Sequence, residues 1–420
     1  MSLAPGTVLC DARADMPDVI VVGAGVSGLA FAWRAAAAGR KVLVLERAAR
    51  VGGCLNSHRR PDGFWFEMGA HTGYNSYGNF LDLASAAGVA GRILRRGEAR
   101  ARFGLMRGSE ASWLTPWRVL WELDWLEAAL AFPAGMLHRR KGETVYSHYA
   151  RLVGRKNYDR LLSPFFQAVP SQKADGFPAA GPGSLFKKRS RRRAFPRSYG
   201  FEGGLETVCD AAATLPGVSV ETSVEVVAVA RDGALFAAFT SDGRKLVAPV
   251  LAVAVAADRA VALLRDDFPE LADALAKVRT VEVDSVGTVL RRDRCWMPEV
   301  AFLVPVDDVF HSVVTRDPFP HATLRAFTFH FRPGLSRDAR IRRAAEILRV
   351  AEGELEPLVE SKVVLPSPAP GHAELLTEIE RCLRGGRLAL SGNYFAGLAI
   401  EDCMLRSTDE WRRVGGERPL

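Results

Sequence analysis

The sequence has few cysteines and no two of them at metal-binding spacing. Cys10, Cys54, Cys209, Cys295, Cys382 and Cys403 include no CxxC pair, and none joins histidines in a zinc-like cluster. This argues against a structural metal or a disulfide framework and for a reduced, cytoplasmic chain. There is no uninterrupted apolar run near the ~20 residues of a membrane-spanning helix. The longest apolar stretches are VAPVLAVAVAA (247–257), of buried-strand character, and AALAFPAGML (128–137), which a proline interrupts. The opening MSLAPGTVLCDARADMP lacks the charged-then-apolar order of a signal peptide. No GxSxG, HExxH or paired-carboxylate motif marks a hydrolase. Internal repeats and low-complexity linkers are absent as well.

What is present reads as a soluble globular protein of two or three domains, 420 residues long. Lys and Arg number 56 against 48 Asp and Glu, a formal charge of +8 that favours anionic partners. Much of that surplus sits in KKRSRRRAFPR, with Lys187, Lys188, Arg189, Arg191, Arg192, Arg193 and Arg197. No nucleic-acid reader motif accompanies the run, so nucleic acid is not an expected partner. A solvated loop is the default reading, and contact with anionic lipid or substrate carboxylates is the next.

The segment DVIVVGAGVSGLAFAWRAAAAGRKVLVLERAARVGG (18–53) carries the strongest signal. Val19 to Val22 form a β-branched run suited to a strand buried on both faces. Gly23, Gly25 and Gly28 follow as GxGxxG, then an alanine-rich helix ending at Gly39, then a second apolar strand from Val42 to Leu45 with Glu46 at its end. Gly23 permits the tight turn, Gly25 lets the backbone approach a pyrophosphate, and Gly28 lets helix and strand pack closely. The helix N-terminus, with Val26 and Ser27, offers unpaired N–H groups to phosphates. Glu46 is placed to accept from ribose hydroxyls. Gly52 and Gly53 extend the motif to ExxxxxGG, which resembles FAD proteins of the flavin amine oxidase and protoporphyrinogen oxidase superfamily. Arg47 covers the adenosine or is simply solvated.

The remainder alternates. Residues 81–200 read as mainly helical, 218–257 and 279–331 as strands with turns at the DG pairs 232–233 and 242–243, and 337–363 as helix then strand. RLALSGNYFAGLAIEDCMLRS (387–407) reads as strand, glycine turn and helix. With these residues in view the chain resembles the protoporphyrinogen oxidase family. The tail SGNYFAGLAIEDC is similar to that family's A-G-x-x-Y-x-G-V-x-x-x-D-C segment. ETVYSHYARLVGRKNYDRLLSPFFQAV, FPRSYGFEGGLETVCDAA, AFLVP and PSPAPGH match along the length.

The resemblance implies non-covalent FAD and an α/β fold: a glutathione-reductase-like, Rossmann-type FAD-binding domain interleaved with a mixed-sheet substrate domain and a helical subdomain. The expected division is 1–90, 201–268 and 370–420 for the FAD-binding domain, 91–200 for the helical subdomain and 269–369 for the substrate-binding domain. The implied cofactor site adds Cys54 beside Gly52 and Gly53, then Gly69, Ala70, His71 and Thr72 in EMGAHT, where the family more often has E-x-G-P. It adds Val226 against the adenine, and Gly392, Leu398, Ala399 and Ile400 at the final turn, where a helix N-terminus under the flavin pyrimidine stabilises charge on the reduced ring.

The implied activity is dehydrogenation of a tetrapyrrole-like or other nitrogen-bearing substrate, by hydride transfer to flavin N5 with dioxygen as acceptor. The alternatives are a related enzyme acting on a different amine or polyene, and a flavin-bound protein without catalysis. Arg102, in ARARFGLMRG, is similar to the family's arginine that holds a substrate propionate, with Arg100 and Arg107 as neighbours; a solvated arginine is the competing reading. His71 either relays a proton near N5 or caps a turn. No lysine occurs between Lys277 and Lys362, which argues against the lysine–water–flavin bridge of amine oxidases proper. Trp113, Trp117, Trp121 and Trp125 recur every four residues and would share one helical face, packed on the core or in peripheral contact with a membrane.

Overall fold

The computed structural model describes residues 16–114, 117, 121–136 and 142–415. A five-stranded parallel sheet forms one half, ordered β10 (Val218–Glu221), β2 (Val42–Leu45), β1 (Val19–Val22), β14 (Val250–Val253) and β20 (Leu388–Leu390). Its strands are apolar throughout because both faces are covered. Val19, Val21, Val42 and Val44 pack into one core with the Val26–Ala37 and Ile400–Gly415 helices. Ile20, Val22, Leu251 and Val253 pack into another with the Ala257–Leu264 and His372–Leu383 helices. The period of two thus splits one strand between two cores. A small antiparallel sheet flanks it, β11 (Val226–Asp232), β12 (Leu235–Thr240) and β13 (Lys245–Ala248).

The other half is a seven-stranded mixed sheet. Its order is β19 (Val359–Pro366), β15 (Thr280–Arg291), β18 (Leu324–Phe331), β17 (Phe310–Thr315), β16 (Phe302–Pro305), β7 (Phe103–Arg107) and β8 (Glu110–Leu114). Phe327, Phe329 and Phe331 point to one face, under the Arg337–Leu348 helix. Thr328 on the opposite face donates to the Glu67 carbonyl at 2.7 Å, which docks this sheet on the first half. Gly287 leaves no room for a side chain there: an added Cβ would lie 2.4 Å from Met68 Sδ. Two small sheets complete the junction, β3 (Ser57–Arg59) with β4 (Trp65–Glu67), and β5 (Gly73–Tyr74) with β9 (Ser198–Phe201) and β6 (Ile93–Arg95).

Three sequence expectations need correction. Residues 93–114 do not belong to a helical block, since they supply β6, β7 and β8; the larger helices of that region are Trp125–Met136 and Val145–Val153. The four tryptophans do not share one helix. Trp113 lies on β8 against Trp296, with ring centroids 5.6 Å apart, whereas Trp117, Trp121 and Trp125 are 76%, 86% and 59% exposed. The basic run is not merely solvated. Lys187 and Arg189 close on Asp402 at 3.0 and 2.8 Å, and Arg192 grips Asp82 with both nitrogens at 2.5 and 2.6 Å. The segment is a strap tying the middle of the chain to the last helix.

One ion pair is buried within the second half. Arg325 and Asp317 are 3% and 4% exposed and make a two-pronged contact at 2.9 and 2.6 Å, while the guanidinium also donates to the Met297 and Pro298 carbonyls. Removing one partner leaves the other charge in a dry site, which costs ~3–5 kcal/mol. Asp317→Asn is therefore expected to lower stability by about that amount in denaturant titrations. A loss below ~1 kcal/mol would contradict this account.

Candidate functional site

Three segments distant in sequence meet at the carboxyl edge of the parallel sheet. The first is the turn between β1 and its helix. Gly23 has φ +101°, and an added Cβ would stand 2.7 Å from the Ala254 carbonyl oxygen. At Gly28 an added Cβ would stand 1.9 Å from the Gly23 oxygen, so helix and turn pack as the fingerprint requires. The helix has Gly25 at its N-cap, no side-chain cap and no acid in its first turn, which leaves its first amides free for an anion.

The second segment is the Gly52–Gly53 turn. Gly52 pairs with Gly25, its amide donating to the Ala24 carbonyl at 2.8 Å. A Cβ on Gly53 would lie 3.2 Å from the Gly25 Cα. Glu46 spans both turns, accepting from the Ala24 and Ala48 amides at 2.8 and 2.9 Å. Ser223 and Val224 donate to the Ala48 and Glu46 carbonyls, and this places the start of β11, with buried Val226, beside Glu46. Arg47 is exposed next to it. Cys54 lies open on the wall, and Gly69 presses so closely that a Cβ would meet the Cys54 carbonyl oxygen at 2.2 Å; the Ala70 amide donates to that same oxygen at 3.2 Å.

The third segment is the C-terminal turn. Gly392 follows β20, Leu398 and Ala399 are half-buried, and Ile400 opens the last helix. That helix packs on the first one, with Phe31 and Trp411 edge to face at 5.7 Å and Ser407 donating to the Ser27 carbonyl at 2.8 Å. Asp402, held by Lys187 and Arg189, anchors the turn. His372, the last residue of PSPAPGH, fixes it from the other side through Nε2, 2.9 Å from the Phe395 carbonyl. A glycine cradle, uncapped helix amides, an acid at the end of the second strand and a second helix N-terminus fit a dinucleotide with an extended second half, as FAD has. Gly23, Gly25, Val26, Ser27, Gly28, Glu46, Gly52 and Gly53 would hold its adenylate and pyrophosphate.

His71 stands where this groove meets the seven-stranded sheet, its Nδ1 2.9 Å from Thr72 Oγ1. It lines a cleft with Trp65, Arg316, Phe319 and Thr328. Burial, with help from Arg96 and His330, pushes its pKa down to about 3, so the ring is neutral at physiological pH. His330 is held near 4 by burial, and its Nδ1 lies 2.9 Å from Ser285 Oγ. His311 is pushed to about 3 by burial together with Arg332, His330 and Lys173. Across β15, β18 and β17, Ser285, His330 and Ser312 stand in register. That row was legible in LRAFTFHF, where Thr328 and His330 alternate with phenylalanines. Behind the cleft, burial lifts the Glu67 carboxyl to about 8 despite contacts from Ser57 Oγ at 2.6 Å and the Leu205 amide at 2.8 Å.

Of the arginines singled out from sequence, Arg102 is exposed with Nη2 3.7 Å from Glu98, Arg100 donates to the Arg96 and Gly97 carbonyls, and Arg107 pairs with Glu122 at 3.3 Å. Arg96, which the sequence did not distinguish, is the buried one.

Residues 21–87 match the family model of an NAD(P)-binding Rossmann-like domain. Curated relatives match over the same region. A 15-cis-phytoene desaturase of Narcissus pseudonarcissus is 37% identical over 76 residues, 18% of this chain and 13% of that protein. A 4,4'-diapophytoene desaturase of Staphylococcus aureus is 49% identical over 51 residues, 12% of this chain and 10% of that protein. The chain thus spans about an eighth of the length of the first relative it matches. Solved structures match along nearly all of it. A protoporphyrinogen oxidase candidate from Exiguobacterium sp. 255-15 superposes with TM-score 0.75 at 18% identity, covering 95% of this chain and 99% of that one. A fatty acid isomerase producing CLA from P. acnes gives 0.69 at 16%, covering 94% and 98%. Putrescine oxidase bound to putrescine gives 0.67 at 16%, covering 96% and 99%. The chain therefore shares its fold with these solved structures along nearly its whole length.

The buried titrating groups set a stability profile. The three histidines have folded pKa values below their ordinary 6.5, so their contribution is present above that pH and lost as pH falls toward 4 and 3. Glu67 is opposite: raised from 4.5 to about 8, it stabilises at low pH and its contribution fades as pH rises through 8. The thermal midpoint should therefore peak between these limits, roughly at pH 6.5. Glu67→Gln should flatten the alkaline side and His330→Asn the acid side, each followed by circular dichroism.

Proposed function

We propose that this chain is an FAD-dependent oxidoreductase in a glutathione-reductase-like arrangement. Its substrate is a small anionic molecule, with a protoporphyrinogen-like tetrapyrrole the first to test. The observation that carries the reading is the convergence of the Gly23–Gly28, Gly52–Gly53 and Gly392–Ile400 segments on one groove, which opens at His71 onto a second sheet lined by His330, Ser285 and Ser312. FAD bound there would supply a hydride acceptor at N5, with dioxygen as the final oxidant. The chain's own part is placement and electrostatics. Free amides of the first helix would hold the pyrophosphate, and the N-terminus of the Ile400–Gly415 helix would face the pyrimidine side. Neutral His71 accepts or donates one hydrogen bond at the mouth of the groove without adding charge. Among the described residues, the sheet face with Ser285, His330 and Ser312 has no lysine on it, which supports a substrate other than a simple primary amine.

The purified protein should be yellow, and denaturation should release the chromophore as free FAD. Gly25→Val should abolish binding, because a branched side chain would fill the space facing Gly53. Anaerobic mixing with protoporphyrinogen should bleach the flavin band, and air should restore it. A colourless protein that takes up NAD instead would refute the cofactor, while bleaching by putrescine but not by the tetrapyrrole would move the activity to the amine oxidases.

The same reading includes a peripheral membrane contact. Trp117, Trp121, Trp125, Leu126, Leu130 and Phe132 are 53–86% exposed on neighbouring turns, an apolar surface suited to a headgroup region. Among the described residues no helix is long and apolar enough to cross a membrane. Co-sedimentation with vesicles containing anionic lipid should be strong for the native chain and several-fold weaker for Trp121→Ser combined with Leu130→Ser. Equal sedimentation would refute the contact.

A further inference from the structure

The first turn of the Ile400–Gly415 helix holds two buried carboxylates. Glu401 and Asp402 are each 4% exposed and follow directly on the Leu398–Ala399 turn. Their placement works against the site. A helix N-terminus carries a partial positive charge on its unpaired amides, and acids in the first turn cancel that field. The turn proposed to face the pyrimidine side of FAD would then present net negative charge. Reduction of the ring, which adds negative charge on that side, would be opposed.

Each acid is answered separately. Glu401 is turned toward another helix: Oε1 accepts from the Asn79 amide and side chain at 3.0 and 2.8 Å, and Oε2 accepts from the Phe80 amide at 3.3 Å. It thereby serves the start of the Gly78–Ala86 helix. Asp402 is met by two cations from the basic strap, Lys187 Nζ at 3.0 Å on Oδ2 and Arg189 Nη2 at 2.8 Å on Oδ1. Their side chains are only 21% and 18% exposed, so solvent ions screen them little. Two cations on one carboxylate leave a surplus of one positive charge at the turn.

The ion triad also lies against the turn's backbone. Lys187 Nζ donates to the Ala396 carbonyl at 2.5 Å, and the same oxygen accepts from the Gly183 amide at 2.6 Å. A Cβ added to Gly397 would meet Asp402 Oδ2 at 2.7 Å and Lys187 Nζ at 3.3 Å. The strap therefore brings its charge to the cofactor-facing end of the last helix from a segment more than two hundred residues earlier in the chain.

We infer that Lys187 and Arg189, acting through Asp402, set how readily the bound flavin is reduced. They are positioning residues that keep the end of the Ile400–Gly415 helix positive although its first turn is acidic. The inference rests on the FAD reading and deepens it by naming side chains outside the nucleotide-binding unit that tune the cofactor.

The test is the midpoint potential of the FAD-loaded protein, titrated anaerobically with dithionite beside a reference dye. Lys187→Met and Arg189→Gln should each lower the equilibrium constant for reduction roughly 10-fold, about 30 mV for a two-electron couple. Asp402→Asn should raise it by a similar factor. Lys187→Met combined with Asp402→Asn should return close to the native value, and Lys187→Arg should keep most of it. The opposite signs discriminate, because a latch that only held the turn in shape would be damaged alike by loss of either partner and not rescued by loss of both. Shifts of one sign, no measurable shift, or a double variant no nearer to native than Lys187→Met would overturn the inference. If Lys187→Met released its flavin, Arg189→Gln against Asp402→Asn would carry the same comparison, and release from all three would make the triad structural and overturn the inference. A native chain that binds no FAD would overturn the proposed function and this inference with it, whereas a yellow protein with unmoved potentials would overturn this inference alone.

Discussion

The approach of two backbone turns governs this structure. Gly25 and Gly53 face each other with no side chain between them, near enough that a Cβ on Gly53 would sit 3.2 Å from the opposite Cα. The contact is made possible by Gly52, whose φ of +102° bends the second turn back, and by Glu46, which accepts an amide from each side. Everything further out inherits its position from that contact. The EMGAHT segment lies on Cys54, the seven-stranded sheet lies on Glu67 and Met68, and the last helix lies on the first. A substitution that separated the turns would displace the groove and the sheet above it together.

Around the groove the charges follow one rule. Where the chain needs rigidity, cations meet acids: Lys187 and Arg189 on Asp402, Arg325 on Asp317, Arg50 on Glu206. Where the two halves face each other, histidines are kept neutral and the carboxyl of Glu67 is turned back into the first half by Ser57 and Leu205. The result is a junction with hydrogen-bonding capacity and little negative charge.

The nucleotide-binding unit was legible because its physics is local. Val19–Val22, the GxGxxG turn, the helix and Val42–Leu45 lie where the glycine spacing and apolar runs put them. The final strand, turn and helix were legible for the same reason. The region from 93 to 114 was not, since its strands are completed by partners such as Phe302 and Tyr199, far along the chain. The tryptophan spacing misled because a period of four is informative only within one helix, and here a strand edge, a bend and two helical pieces share it. Arg96 was invisible among Arg92, Arg95, Arg100 and Arg102, because burial rather than residue type distinguishes it. The role of the basic strap was hidden similarly, as its acids lie at Asp82 and Asp402.

The interleaving of the two halves also orders events during synthesis. The parallel sheet takes strands from residues 19–45, 218–253 and 388–390, and the other sheet takes its own from 103–114, 280–331 and 359–366. Neither can close until late residues arrive, and pairings of such sequence separation form slowly. A ribosome-bound chain lacking β20 and the Ile400–Gly415 helix would expose the apolar faces of Val19, Val21, Phe31 and Leu251 that these elements cover. The nascent protein therefore passes through a long interval with an open sheet edge, in which chaperone capture competes with aggregation. Cofactor availability would enter at the end of that interval, when the three glycine segments first come together.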